Sequence, residues 1–307
     1  MTGTTAPGIA DVHESLISGA EIQLRDRSLA QQLCSVAGWL PQAARIHADL
    51  LARVVSVMAG ELGIEQFLDL SCGYSAAHDT SRGPHSPAHT AEAARTVHPQ
   101  ARVLYVDSDH AVYAHARTRP DDSHGDGMKV VRADARDVPG VFDHAGGFFD
   151  FTRPVGVVAH GLLQWMDDED AATTMDGLRA GLPAGSAISL THATTESAPA
   201  AMARLADLYA QAGILFRPRS LEHIQALLGP WDLLDPGIVP TAAWRRLHKL
   251  PRRIAAVRPP RQRMPPADLS HAYAGICIDR RPHVTRLPGA RPRKDAAARQ
   301  EAAAVSE

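Results

Sequence analysis

The sequence predicts an α/β protein, a mostly parallel sheet covered by helices on both faces, behind a helical N-terminal segment. Three observations predict it. Short segments between residues 64 and 191 are apolar at consecutive positions rather than at alternate ones, the pattern of strands buried on both faces. Helical periodicity fills the stretches between them. The strands end in small or acidic residues, at the edge where open sheets bind ligands.

The elements follow in order. Residues 1–10 are small and polar and predict no regular structure. Leu24, Leu29, Leu33, Val36 and Leu40 recur at near-helical spacing until Pro41 breaks the run. A second helix carries Ile46, Leu50, Leu51, Val54, Val55 and Met58 and ends at Gly60. Strand one runs from Ile64 to Leu70, and the Ser-, His-, Gly- and Pro-rich 74–90 reads as a loop. A helix over 90–98 leads to strand two, Arg102 to Asp107, then a short helix from His110 to Arg117. Strand three is Met128 to Ala133 and strand four Pro154 to Ala159. A helix from Asp168 to Ala180 precedes strand five, Ser186 to Thr191. Helices near 198–212 and 220–228 follow, then strands from Trp231 to Val239 and Ala272 to Ile278. The Arg- and Pro-rich 245–268 reads as an extended excursion between them.

Composition narrows the function. The chain has 307 residues, 45% hydrophobic, enough for one domain with a sizeable core. Lys+Arg is 32 against Asp+Glu 34, so the basic excess of a nucleic-acid binder is missing. Three cysteines do not make a disulfide scaffold and suit a reducing cytosol, so the expected location is cytoplasmic. No run approaches the about 18 apolar residues of a membrane span, and the N-terminus lacks the pattern of a secretory signal.

The strand ends carry the candidate chemistry. Asp69-Leu70-Ser71-Cys72-Gly73 is a small-residue turn through which a ligand can approach the backbone, and equally a plain strand-to-helix turn. Asp107 can accept hydrogen bonds from two ribose hydroxyls, with Ser108 or Asp109 capping the next helix. Asp134, followed by Ala135, suits an adenine amino group or a surface position. His160, Gly161 and Gln164 lie where a reacting atom would sit, with Trp165 beside them. His160, His192 and His89 are candidate bases, His160 favoured by its place after strand four. His78, His85 and His89 do not match a metal-ligand spacing, so no metal is expected. Cys72 lacks a motif partner and reads as a small turn residue.

A resemblance joins these pieces. Phe67-Leu68-Asp69-Leu70-Ser71-Cys72-Gly73, Arg102-Val103-Leu104-Tyr105-Val106-Asp107-Ser108-Asp109, Val131-Arg132-Ala133-Asp134-Ala135-Arg136-Asp137 and Thr191-His192-Ala193-Thr194 resemble, in that order, an actinobacterial family of S-adenosylmethionine-dependent methyltransferases formerly catalogued as a domain of unknown function. The resemblance spans roughly residues 12–280. It implies a class I methyltransferase, Rossmann-like fold with strand order 3-2-1-4-5-7-6 and an antiparallel seventh strand. It implies S-adenosylmethionine at the carboxyl edge, with Asp69, Gly73, Asp107 and Asp134 at the matching places. The other expected cofactor contacts are Ser71, Cys72, His89, Ser108, Ala135, His160 and Gly161, and the catalytic candidates are His160, Gln164 and His192. Ser71 stands where the family has a glycine, Ile46-His47 where it has Asn-Arg, and Gln164 where it has a His.

The expected organisation is an N-terminal helical cap or lid over 1–60, a cofactor-binding domain over 61–280 and a disordered tail over 281–307. Residues 11–40 and 74–90 flank the opening and are the expected lid. The expected function is methyl transfer to a small molecule in actinobacterial specialised metabolism, with a homodimer as the candidate assembly. Two alternatives stand beside it. One is a diverged relative that binds the cofactor or its product but catalyses another reaction, such as a cyclisation. The other is a regulatory protein that keeps the fold.

Overall fold

The computed structural model describes residues 8–18, 24–70, 72–76, 90–117, 127–245 and 270–281. Ser71, His89, most of the 74–90 loop, the Arg/Pro-rich excursion from 246 onward and the tail beyond Arg281 lie outside the described residues.

Three helices come first: α1 (Ile9–Ser18), α2 (Leu24–Val36) and α3 (Leu40–Glu61). Pro41 sits in the first turn of α3, where its missing N–H is no loss. The strands are β1 (Gln66–Leu70), β2 (Arg102–Asp107), β3 (Met128–Arg132), β4 (Gly156–His160), β5 (Ala187–Ala193), β6 (Asp232–Leu233), β7 (Val239–Pro240) and β8 (Ala272–Ile278). The later helices are α4 (Thr90–Val97), α5 (His110–Arg117), α6 (Val138–Ala145), α7 (Asp168–Gly181), α8 (Pro199–Gln211) and α9 (Leu221–Leu228).

The strand order is β3-β2-β1-β4-β5-β8-β6, with β7 also pairing with β8. β1 to β5 are parallel, and β8 runs antiparallel to β5. This is the expected order once the last strand is counted as β8. Two expectations change. The single strand from Trp231 to Val239 is two short pieces on one side of β8, because Pro236 has no N–H to give the ladder and Gly237 closes a turn onto Leu234. The helix α6, not anticipated from sequence, is capped by Asp137, whose side chain accepts from the Gly140 N–H at 3.1 Å. Its Pro139 and Gly140 resemble a turn, yet a proline in the first helical turn is favourable.

Side-chain alternation splits the strands between two cores. Leu68, Leu70, Leu104, Val106, Val157, Ala159, Ile188 and Leu190 pack against α6, α7 and α9. Phe67, Val103, Tyr105, Val158 and Ala187 pack on the other face against α3, α4 and α5. By that parity Asp69, Asp107, His160, Ser189 and Thr191 all lie on the α3 face, while His192 lies on the opposite one. A third cluster joins α1, α2 and α8 through Val12, Leu33, Met202 and Leu205.

Candidate functional site

The carboxyl ends of β1 and β2 form an acidic pair. Asp107 is buried, and its two oxygens accept the backbone N–H of Gly73 and of Asp109, each at 2.9 Å. Those bonds pin the turn after β1 to the end of β2. Each carboxylate oxygen keeps a further lone pair for a ligand. Burial raises the Asp107 pKa, and the two N–H bonds oppose the rise. Asp109 caps α5 by accepting the Ala111 N–H at 2.7 Å, while Ser108 is exposed. Gly73 adopts φ +54, and among the described residues nothing lies within 4 Å of where a Cβ would point. A side chain there would be strained and would fill that space.

Asp69 is deeper. It is 4% exposed, and its Oδ2 accepts from the Thr90 hydroxyl at 2.5 Å. Burial pushes its pKa up to about 7, the Thr90 bond pulls it down, and the Asp107 charge pushes it up. Cys72 is buried beside this turn and Ala135 is buried after β3. Both oxygens of Asp134 accept from the Arg136 side chain, with a 2.6 Å ion pair that lowers the Asp134 pKa. Asp134 is thus already engaged at the place where an adenine amino group was expected.

At the ends of β4 and β5 a group of histidines gathers. His160 Nε2 lies 2.7 Å from Ser189 Oγ, and its Nδ1 is buried without a hydrogen-bond partner among the described residues. His47, from α3, lies 2.8 Å from Thr191 Oγ1 through its Nε2. The His47 ring is 5.4 Å from that of His160 and 6.1 Å from that of His13 on α1. Desolvation lowers the pKa of His47 to about 3 and that of His160 well below the usual imidazole value, so both rings are neutral near pH 7.

Four expectations are corrected here. The space over Gly161, expected to seat an acceptor, is closed by His47, whose Cε1 would lie 3.1 Å from a Cβ built there. His192 is not available as a base. It is 1% exposed, its Nε2 accepts from Arg219 at 2.8 Å, and its Nδ1–H donates to the Ala193 carbonyl. Gln164 spends its side-chain oxygen on the Ala193 N–H at 3.0 Å and so ties the end of β4 to β5. Trp165 is packed against Tyr209 and Phe216, each ring 5.2 Å away, rather than offering a face to a ligand.

The helix α1 crosses the strand ends. The Tyr74 hydroxyl donates to Asp11 at 2.7 Å, joining α1 to the turn after β1. His13 lies two residues on, beside His47.

The sequence profile of the family described as S-adenosyl methyltransferase matches residues 2–278. The chain belongs to that family. A candidate methyltransferase from Thermobifida fusca superposes with a TM-score of 0.75 at 29% identity, over 91% of this chain and 97% of that one. A DUF574 family protein from Streptomyces avermitilis superposes with a TM-score of 0.75 at 25% identity, over 89% and 98%. No curated protein matches in sequence.

S-adenosylmethionine is the cofactor of this methyltransferase family. The residues present fit it. The open turn at Gly73 admits a ligand to the backbone, and Asp107 stands beside it with acceptor capacity to spare. Among the described residues no helix is long and apolar enough to cross a membrane.

The sequence alone did not show His47 as a neighbour of His160, or His13 as a neighbour of His47. No spacing rule joins α1, α3 and β4, so their meeting is a product of the tertiary fold.

Proposed function

We propose that this protein transfers a methyl group from S-adenosylmethionine to a small molecule, with the acceptor bound near His160 under α1. The observation that carries the reading is Asp107, a buried carboxylate at the end of β2, anchored by two backbone N–H groups beside the open Gly73 turn. Bound there, the cofactor supplies a methyl group already activated on a sulfonium. The protein's task is then to align the acceptor and exclude water, which supplies several kcal/mol of barrier reduction. His160 is the proposed acceptor-side residue; Asp69, Cys72, Gly73, Ser108, Asp134 and Ala135 flank the cofactor. The lid is α1 with α2. The setting we propose is cytoplasmic specialised metabolism.

A second reading keeps the fold and cofactor but not methyl transfer. The closure of the space over Gly161 by His47 favours it. Mass spectrometry of the native protein, showing which nucleoside co-purifies, tests the cofactor. Adenosyl ligand in the site supports both readings, and a nucleotide of another class contradicts both.

Asp69 makes a linked prediction. Its carboxyl is partly protonated near pH 7, because its pKa is raised to about 7. A cation bound at the strand ends favours the carboxylate, so cofactor binding should release protons at pH 7 and almost none at pH 9. Calorimetry at pH 7 in buffers of different ionisation enthalpy should give different heats, and Asp69→Asn should abolish the difference. Buffer-independent heats for the wild type would contradict this.

The lid makes another. Hydrogen exchange in α1 should slow when S-adenosylhomocysteine is added, because the Asp11–Tyr74 contact ties α1 to the cofactor turn. Unchanged exchange in residues 9–18 would remove α1 from the lid.

A further inference from the structure

Two hydroxyls on one face of β5 decide where the protons sit on the site histidines. Ser189 and Thr191 are two residues apart and so share the α3-facing side of the strand. Ser189 is fully buried and Thr191 nearly so. Ser189 Oγ meets His160 Nε2 at 2.7 Å, and Thr191 Oγ1 meets His47 Nε2 at 2.8 Å. Thr191 Oγ1 also accepts the Gly161 N–H at 2.9 Å.

A hydroxyl has one proton, and a neutral imidazole carries one on a single nitrogen. Suppose both histidines held it on Nε2 and donated to the hydroxyls. The Ser189 and Thr191 protons would then be buried without an acceptor, and the bare Nδ1 of His160 would be a further unpaired group. Suppose instead that both hydroxyls donate to Nε2. Each hydroxyl proton is then paired, and at His160 one group alone is left, an Nδ1–H donor. Unpaired buried polar groups are costly, so the second arrangement wins. His192 provides an internal reference for this form. Arg219 has only protons to give, so His192 Nε2 must be bare, and its Nδ1–H donates to the Ala193 carbonyl at 2.8 Å.

We propose that Ser189 and Thr191 are positioning residues that hold His160 and His47 as Nδ1–H donors, so that His160 offers the acceptor substrate a hydrogen bond to a lone pair. The site then takes acceptors that present an anionic or carbonyl oxygen, such as a phenolate. It does not take up their proton. Only the word acceptor rests on the methyl-transfer reading; the proton positions stand without it.

The test is the imidazole nitrogen–proton correlation spectrum of the full chain labelled with nitrogen-15, with His160→Gln and His47→Gln assigning the two rings. The expected result is an Nδ1–H pattern for both, matching His192. Ser189→Ala should lose that pattern at His160 while His192 stays unchanged, and Ser189→Thr, which keeps the hydroxyl, should restore it. Thr191→Val should do the same to His47. A wild-type proton on Nε2 of His160 or His47 would overturn the proposal, as would a Ser189→Ala spectrum identical to wild type. In protein saturated with S-adenosylhomocysteine, 4-nitrophenolate should move the His160 Nδ1–H resonance downfield. Its affinity should fall on the order of tenfold in Ser189→Ala, the loss of one hydrogen bond to a charged group. A resonance that stays put at millimolar probe overturns the donor role. Failure to bind S-adenosylhomocysteine at all would instead overturn the methyl-transfer reading and leave the imidazole spectra to stand.

Discussion

Asp107→Ala weakens S-adenosylmethionine binding by about 1.5–3 kcal/mol, the loss of a charged acceptor for hydroxyl donors. From a micromolar starting affinity, about −8 kcal/mol, that is a fall of roughly tenfold to a hundredfold or more. Two losses combine. The ligand loses its carboxylate, and the N–H groups of Gly73 and Asp109 lose the oxygens that fix the turn. Asp107→Asn should fall between, because its amide oxygen can serve one N–H while its NH₂ faces the other. Calorimetry on the three proteins checks the series. Equal affinity in wild type and Asp107→Ala would remove Asp107 from the site.

Arg219→Met lowers folding stability by on the order of 2–4 kcal/mol, the cost of leaving buried acceptors without their donor. The side chain is 4% exposed and sits where β5, α7 and the turn after β4 meet. It donates to the carbonyls of Leu163 at 2.7 Å, Met166 at 2.9 Å and Asp167 at 3.0 Å, to Asp168 at 2.9 Å, and to His192 Nε2. Asp168 is largely solvent-exposed, so the ion pair itself contributes little. The weight lies on the Met166 carbonyl and His192, because the carbonyls of Leu163 and Asp167 also accept the backbone N–H groups of Met166 and Ala171. Arg219→Lys keeps the charge but not the fork and should recover only part of the loss. Denaturant melts check both, and a loss under about 1 kcal/mol in Arg219→Met would contradict the bookkeeping. S-adenosylmethionine affinity at low temperature should be nearly unchanged, because Arg219 lies on the face of β5 opposite the site.

The parallel sheet was legible because its strands are buried on both faces and read as unbroken apolar runs. Val103-Leu104-Tyr105-Val106 and Val157-Val158-Ala159 need no tertiary knowledge to be seen as strands. Asp107 was legible for the same reason: a strand that ends in an acid puts that acid at the edge. What the sequence did not show was the side of the strand. His160 and His192 look alike as strand-end histidines, and only the parity of β4 and β5 sends them to opposite faces. One meets Ser189 and the other meets Arg219. His47 was hidden because it lies far from His160 along the chain, and nothing local says that α3 brings its polar positions to the end of β4. Helix α6 was hidden by Pro139 and Gly140, turn residues that here begin a helix.

Isotope transfer shows whether this chain moves a methyl group. The protein is incubated with S-adenosylmethionine labelled with carbon-13 at the methyl, together with a deproteinised small-molecule extract of its source cells, and the products are read by mass spectrometry. One metabolite should gain the labelled methyl, with S-adenosylhomocysteine formed in equal amount. A metabolite that is transformed without label while the cofactor stays unconsumed would contradict it and leave the non-methylating reading in its place.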